Sequence, residues 1–141
     1  MKRLILFMLM IMFFQSTCHA ADWVWVGSND DVSVYLDSQS IYLEQEKTNT
    51  SIAILDCWTK FEYQEPQEDG TNSKLIEYRF KLIDKIHNAW FSVSSYLAYD
   101  LDGNLIKSDH YQGDEWQKVP PDSVIQYVCW RAIKCIEEKN R

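Results

Sequence analysis

The stretch Ser51–Tyr63, SIAILDCWTKFEY, decides the fold. In an extended chain successive side chains point to opposite faces. Ala53, Leu55, Cys57, Phe61 and Tyr63 then share one side, and Ile52, Ile54 and Trp58 share the other. Both sides are partly apolar, which places this strand in the middle of a sheet.

The segments around it alternate in the same way. Val32, Val34 and Leu36 oppose Ser33, Tyr35 and Asp37 in a half-buried strand over 31–37. Ser40 to Leu43 predicts a second, short strand. Gln64 to Ser73, with Pro66 and Gly70, is loop material. Over 74–84, Ile76, Tyr78, Phe80 and Leu82 face inward while Glu77, Arg79 and Lys81 face out. Over 89–100, Phe91, Val93, Leu97 and Tyr99 share a side. Asp102-Gly103 marks a tight turn, and 105–111 returns as the hairpin partner.

The extended region stops at Pro120-Pro121, and a helix follows. Ser123 caps it, with Gln126 three residues later as in a capping box. Ile125, Val128, Cys129, Ala132 and Ile136 form its apolar stripe. The pattern predicts an α+β fold: an antiparallel sheet of about five or six strands with one C-terminal helix packed on one face.

The N-terminus reads differently. Lys2 and Arg3 precede eleven apolar residues, Leu4 to Phe14. A bilayer span needs about 20. Cys18-His19-Ala20 supplies a small-residue exit, so 1–20 is read as a signal peptide and 21–141 as one domain. Cys18 also stands where a lipid anchor would attach. Gln15, however, occupies the place usually taken by an aliphatic residue, which favours soluble export. No transmembrane span remains after signal removal. Without Lys2 and Arg3 the mature chain holds 12 basic and 21 acidic side chains, a formal net charge of −9. Nucleic-acid binding needs concentrated positive charge, so it is disfavoured.

Export makes a disulfide plausible. Cys57, Cys129 and Cys135 remain, an odd number. Cys129 and Cys135 sit about 9 Å apart along a helix, too far to join each other. The candidate bonds are Cys57–Cys129, preferred because Cys129 lies on the buried stripe, or Cys57–Cys135. All three reduced, or one left to link two copies, are the alternatives.

Catalytic and metal chemistry find little support. Close cysteine pairs at zinc spacing are absent, and His87 and His110 are far apart. Asp100-x-Asp102-Gly103-Asn104 lacks the spacing of a helical calcium loop and reads as a turn. Cys57 in a central strand is badly placed for a nucleophile. We expect no catalytic residues, no metal ligands and no cofactor.

The aromatic residues say more. Six tryptophans and eight tyrosines are many for so small a domain. If the helix covers the Cys57 side, Trp58 and Lys60, with Trp90 and Tyr96, belong to the other side. That side is a candidate interface for a second copy or an external protein. Loops or the strand bearing Trp23 and Trp25 are the alternative cover.

Taken together, the chain from Trp23 to about Cys135 resembles the surface-adhesin protein E family. The matching features are the opening Trp23-Val24, Val34-Tyr35-Leu36-Asp37 with Ser40-Ile41, and the long strand with Trp58 and Lys60. Tyr99-Asp100-x-Asp102-Gly103 and Trp116-x-x-Val119-Pro120-Pro121-Asp122-Ser123 complete the set. The resemblance implies an antiparallel sheet with a C-terminal helix, often dimeric, in an exported protein of a Gram-negative-type bacterium, at the periplasm or cell surface. It implies binding of host extracellular-matrix or serum proteins. Relatives commonly pair a cysteine after a mid-strand Asp with one near the C-terminus. Here that Asp corresponds to Asp84, and Lys85 follows it. The expectation is thus a non-enzymatic adhesin-like protein. The alternative is a periplasmic structural or stress-related protein that forms a homodimer through its aromatic face.

Overall fold

The computed structural model describes residues 20–46, 49, 51–83, 88–113 and 115–141. The expected signal segment through His19, and Asp84, Lys85 and His87, lie outside these residues.

Among the described residues eight strands and a helix follow one another: β1 (Trp23–Ser28), β2 (Val32–Asp37), β3 (Tyr42–Gln45), β4 (Ile52–Tyr63), β5 (Ser73–Ile83), β6 (Ala89–Tyr99), β7 (Leu105–His110), β8 (Gln117–Lys118) and α1 (Val124–Lys139). They form one antiparallel sheet in the order β1-β2-β4-β5-β6-β7. β3 pairs with β4, and β8 pairs with β6. The architecture is the expected α+β arrangement, with β4 central.

The register shows why. Leu55 pairs with Phe80, Cys57 with Tyr78, Val34 with Phe61, and Leu36 with Thr59. These rows stand on one face, and α1 lays Val128, Cys129, Ala132 and Cys135 against them to form the core. Leu36, Leu55, Phe80 and Val128 are wholly buried. At about 25 cal/mol per Å² of apolar surface, each such side chain adds roughly 2 kcal/mol to holding helix and sheet together.

Local chemistry fixes the helix at both ends. Ser123 Oγ accepts from the Gln126 N–H at 3.2 Å. The Gln126 carboxamide reaches back one residue further than in a simple capping box and accepts from the Asp122 N–H at 2.8 Å. Among the described residues Asp122 is the non-glycine residue with positive φ, +54°, which turns the chain from Pro120-Pro121 into the helix. At the other end Lys139 Nζ donates to the Ser38 carbonyl at 2.6 Å. The β6–β7 turn is tied by Asp100, whose carboxylate accepts from the Asn104 N–H at 2.7 Å and from its Nδ2 at 3.0 Å. Gly103, at φ +81°, supplies the conformation the turn requires.

The expected disulfide is not formed. Cys57, Cys129 and Cys135 are all free thiols. Each fills a small apolar position at the seam between sheet and helix, 5% exposed or less. Burial is the main reason that Cys57 is raised well above an ordinary thiol, and burial pushes Cys129 up to about 12. Protonated thiols in this seam behave as hydrophobic side chains, and none reaches the surface to link a second copy.

A second correction concerns β6. Tyr78 pairs with Val93, but Glu77 pairs with Ser95, so Ser94 is an extra residue. This β-bulge reverses the alternation. Phe91 and Val93 stand on the helix side, as expected. Leu97 and Tyr99 do not share it: they pair with Leu75 and Ser73 on the other face.

Candidate functional site

The face away from α1 is built from the even positions of β4 and their partners. Trp58 pairs with Glu77, Lys60 with Tyr35 and with Leu75, and Trp90 with Lys81. On β1, Trp25 pairs with Tyr35 and Trp23 with Asp37, so both indoles join the same face. β1 therefore extends this face at its edge and does not cover it. Trp116 reaches the face from the loop before β8, with its ring centroid 4.7 Å from Lys81 Nζ. Five of the six tryptophans thus share the helix-free face. Trp130 is the exception. It packs edge-on to Tyr127, 5.7 Å between centroids, on the outer side of α1.

Charges are threaded between the rings. Lys60 Nζ lies 5.0 Å from the Trp23 centroid, 5.1 Å from that of Tyr35, and 2.7 Å from Glu62 Oε1. Arg79 Nε donates to Asp56 Oδ1 at 3.0 Å. Ion pairs this exposed add at most about 1 kcal/mol. The pair with Glu62 holds Lys60 beside the Trp23 indole and the Tyr35 ring.

Tyr96 is placed elsewhere. The bulge at Ser94 puts it opposite Ile76 on the helix side. Trp58, Lys60 and Trp90 are brought together, and Tyr96 is not. Its ring centroid lies 5.9 Å from Lys74 Nζ and 5.7 Å from Lys107 Nζ. Burial alone would lower Lys74, but Tyr63 and Tyr96 outweigh it and hold its ammonium above the ordinary range. Tyr96 also borders a concavity of about 790 Å³ floored by Ile76, Phe91 and Val93 beside Tyr111.

One trio superficially resembles a hydrolytic site. Ser95 Oγ lies 3.1 Å from His110 Nδ1 and donates to Glu77 Oε2 at 2.8 Å. The serine proton therefore points to the carboxylate, so Nδ1 of His110 carries the hydrogen of the other bond. A nucleophile needs the opposite arrangement, with its proton directed at the base. Ser95 is also 4% exposed. The trio joins β7 to the sheet. Among the described residues no group of His, Cys, Asp and Glu is placed to hold a metal ion.

Sequence reading missed Trp23, Trp25, Tyr35 and Trp116 as members of the face. The alternation Trp23-x-Trp25 shows that the two indoles share a side. Which side follows only from pairing with β2.

The fold and this face stand beside one comparison. The sequence matches the family described as surface-adhesin protein E over residues 23–135. The chain belongs to the surface-adhesin protein E family. No curated protein and no solved structure matches it. As a member of this adhesin family, the chain is an exported, non-enzymatic, adhesin-like protein of the cell surface or periplasm. The adhesin-E match begins at Trp23 in β1 and ends at Cys135 in α1, so it takes in the whole sheet and the core-facing part of the helix. Among the described residues no helix is long and apolar enough to cross a membrane.

Proposed function

We infer that the helix-free sheet face is the adhesive surface, and that its partner is a host extracellular-matrix or serum protein. The observation that carries this is the gathering of five of six tryptophans on one face with Lys60, Lys81 and Arg79 among them. Aromatic residues and arginine dominate the energetic centres of protein interfaces. A face held on a regular sheet loses little freedom on binding, which favours affinity. In this reading the mature chain begins at Ala21, and Trp58, Lys60 and Trp90 form the centre of the contact.

A panel of purified host matrix and serum proteins, immobilised for surface plasmon resonance, tests the reading. The mature chain binds at least one of them. The Trp58→Ala/Trp90→Ala variant, folded by circular dichroism, binds it about tenfold or more weakly. Unchanged binding by that variant would move the site elsewhere. A second copy is the competing occupant of the same face, as in the homodimer alternative. In that case the double variant loses self-association, and no host protein binds.

A further inference from the structure

Two strands share the outer edge of β6. β8 pairs with Trp90 and Phe91, and β7 pairs with Ser95 to Tyr99. Ser92, Val93 and Ser94 pair with neither, so the sheet is notched between them. α1 packs against β1 and β2, at the other end of the sheet order, and among the described residues it contributes nothing to the lining of the notch. The concavity of about 790 Å³ beside Tyr96 lies here. Ligand pockets usually measure ~300–1,000 Å³.

The lining has a definite chemistry. Ile76, Phe91 and Val93 make an apolar floor, and Tyr96 and Tyr111 add two phenol rings. Gln112, Gln117, Glu115 and His110 supply polar groups around them. The loop that carries this rim is fastened to the notch itself. The Tyr111 N–H donates to the Ser94 carbonyl at 2.9 Å. Gly113, at φ +70°, turns the chain between Gln112 and Glu115, so close to β6 that a Cβ there would stand 3.4 Å from Ser94 Oγ. Among the described residues no lysine or arginine lines the concavity. Lys74 and Lys107 approach the Tyr96 ring from outside the lining, and Lys107 is paired with Asp109 at 3.2 Å.

These groups select among ligands. An anion would meet a carboxylate and no cation in the lining. A fatty chain would desolvate the carboxamides of the rim without pairing them. A pyranose ring suits both parts. Its C–H faces lie flat on an aromatic ring, and its hydroxyls each donate and accept, as carboxamides do.

We propose that the notch binds a neutral oligosaccharide, with a sugar ring against Tyr96 and Tyr111 and its hydroxyls on Gln112, Gln117 and Glu115. None of the five tryptophans of the helix-free face lines this site, and the inference goes beyond the adhesive reading. Two sources offer such chains: the glycans of host glycoproteins and the glycan strands of the bacterium's own cell wall.

An array of free-standing oligosaccharides, probed with the mature chain, tests the proposal. It carries neutral chains ending in galactose, mannose or fucose, their sialylated and sulfated forms, and N-acetylglucosamine oligomers as the cell-wall arm. At least one neutral chain retains the protein. Titrating that chain in solution shifts the backbone amides of Tyr96, Tyr111, Gln112 and Gln117 in NMR spectra. Tyr111→Ala/Gln112→Ala, at two exposed positions and folded by circular dichroism, binds it about tenfold or more weakly. Retention by galactose-, mannose- or fucose-ended chains identifies a host source, and retention by the oligomers alone identifies the cell wall. No neutral chain bound, shifts confined to other residues, or full binding by the folded variant overturns the proposal. Retention of sialylated or sulfated chains alone also overturns it, and moves recognition to Lys74 and Lys107. So does an arginine-rich peptide that shifts the same amides where no sugar does. The probes carry no protein, so their outcome is independent of whether the tryptophan face binds a host protein.

Discussion

Trp90 and Tyr96 lie six residues apart on one strand, yet they stand on opposite faces of the sheet. Trp90 pairs with Lys81 on the helix-free face and Tyr96 with Ile76 on the helix side. Unbroken alternation would put them together. The single extra residue Ser94 separates them, and in doing so sorts the surface. The indoles are left together on the helix-free face, while Tyr96 joins Lys74 and Lys107 on the opposite face.

Deleting Ser94 restores simple alternation and turns one half of β6 over. Either Phe91 and Val93 leave the core, or Tyr96 and Ala98 exchange places with Ser95 and Leu97. We expect a loss of about 3 kcal/mol or more in urea denaturation. Ser94→Ala, which keeps the extra residue, stays within about 0.5 kcal/mol. Equal stability for the two variants would show that the bulge does not set the register.

The free thiols give a chemical test. Native mature protein resists thiol reagents, and denaturation without reductant exposes three reactive thiols, those of Cys57, Cys129 and Cys135. A count of one, seen by intact mass, would mean that a bond forms. The same burial has a pH signature. An unfolded thiol titrates near 9.0, whereas native Cys129 is held at about 12. Between these values the unfolded chain gives up a proton that the native state keeps, so stability falls as pH rises above 9. Cys129 alone accounts for a loss of roughly 3 kcal/mol by pH 11. Urea titrations at pH 8 and pH 11 measure it, and Cys129→Ala shrinks the difference.

The helix cap is testable on its own. Ser123→Ala removes the acceptor for the Gln126 N–H and is expected to lower stability by about 1 kcal/mol. Ser123→Asp keeps an acceptor in place and stays close to the unmodified protein in thermal unfolding.

At the β6–β7 turn, hydrogen bonds from the Asn104 side chain and backbone hold the Asp100 carboxyl below its ordinary value. The stabilisation this gives is present above the ordinary carboxylate range. It fades as pH falls through the lowered native value. Asn104→Ala should move the Asp100 titration upward, as read by NMR of the side-chain carboxyl carbon. An unmoved titration would mean that the Asn104 side chain is not the chief cause.

These residues also show what was legible beforehand. β4 and β5 run for 12 and 11 residues without a break in alternation, so Leu55, Cys57, Tyr78 and Phe80 declare their face directly. Ser123 and Gln126 announce the start of α1. The bulge was not legible, because Ser94-Ser95 carries no glycine or proline to mark it. Trp23 and Trp25 could be placed on a common side but not on the helix-free face, because only strand order decides that β1 extends the sheet. The cysteines misled because export permits a disulfide without requiring one. A buried thiol packs as well as any small apolar side chain.

The adhesive reading turns on which tryptophans a bound partner covers. Oxidative footprinting of the mature chain, free and bound to a host protein found in the binding panel, measures this residue by residue. Trp23, Trp25, Trp58, Trp90 and Trp116 are expected to become protected together. Trp130, on the far side of α1, keeps its reactivity and serves as the internal control. Protection of Trp130 with the other five unchanged would place the partner on the helix and contradict the assignment.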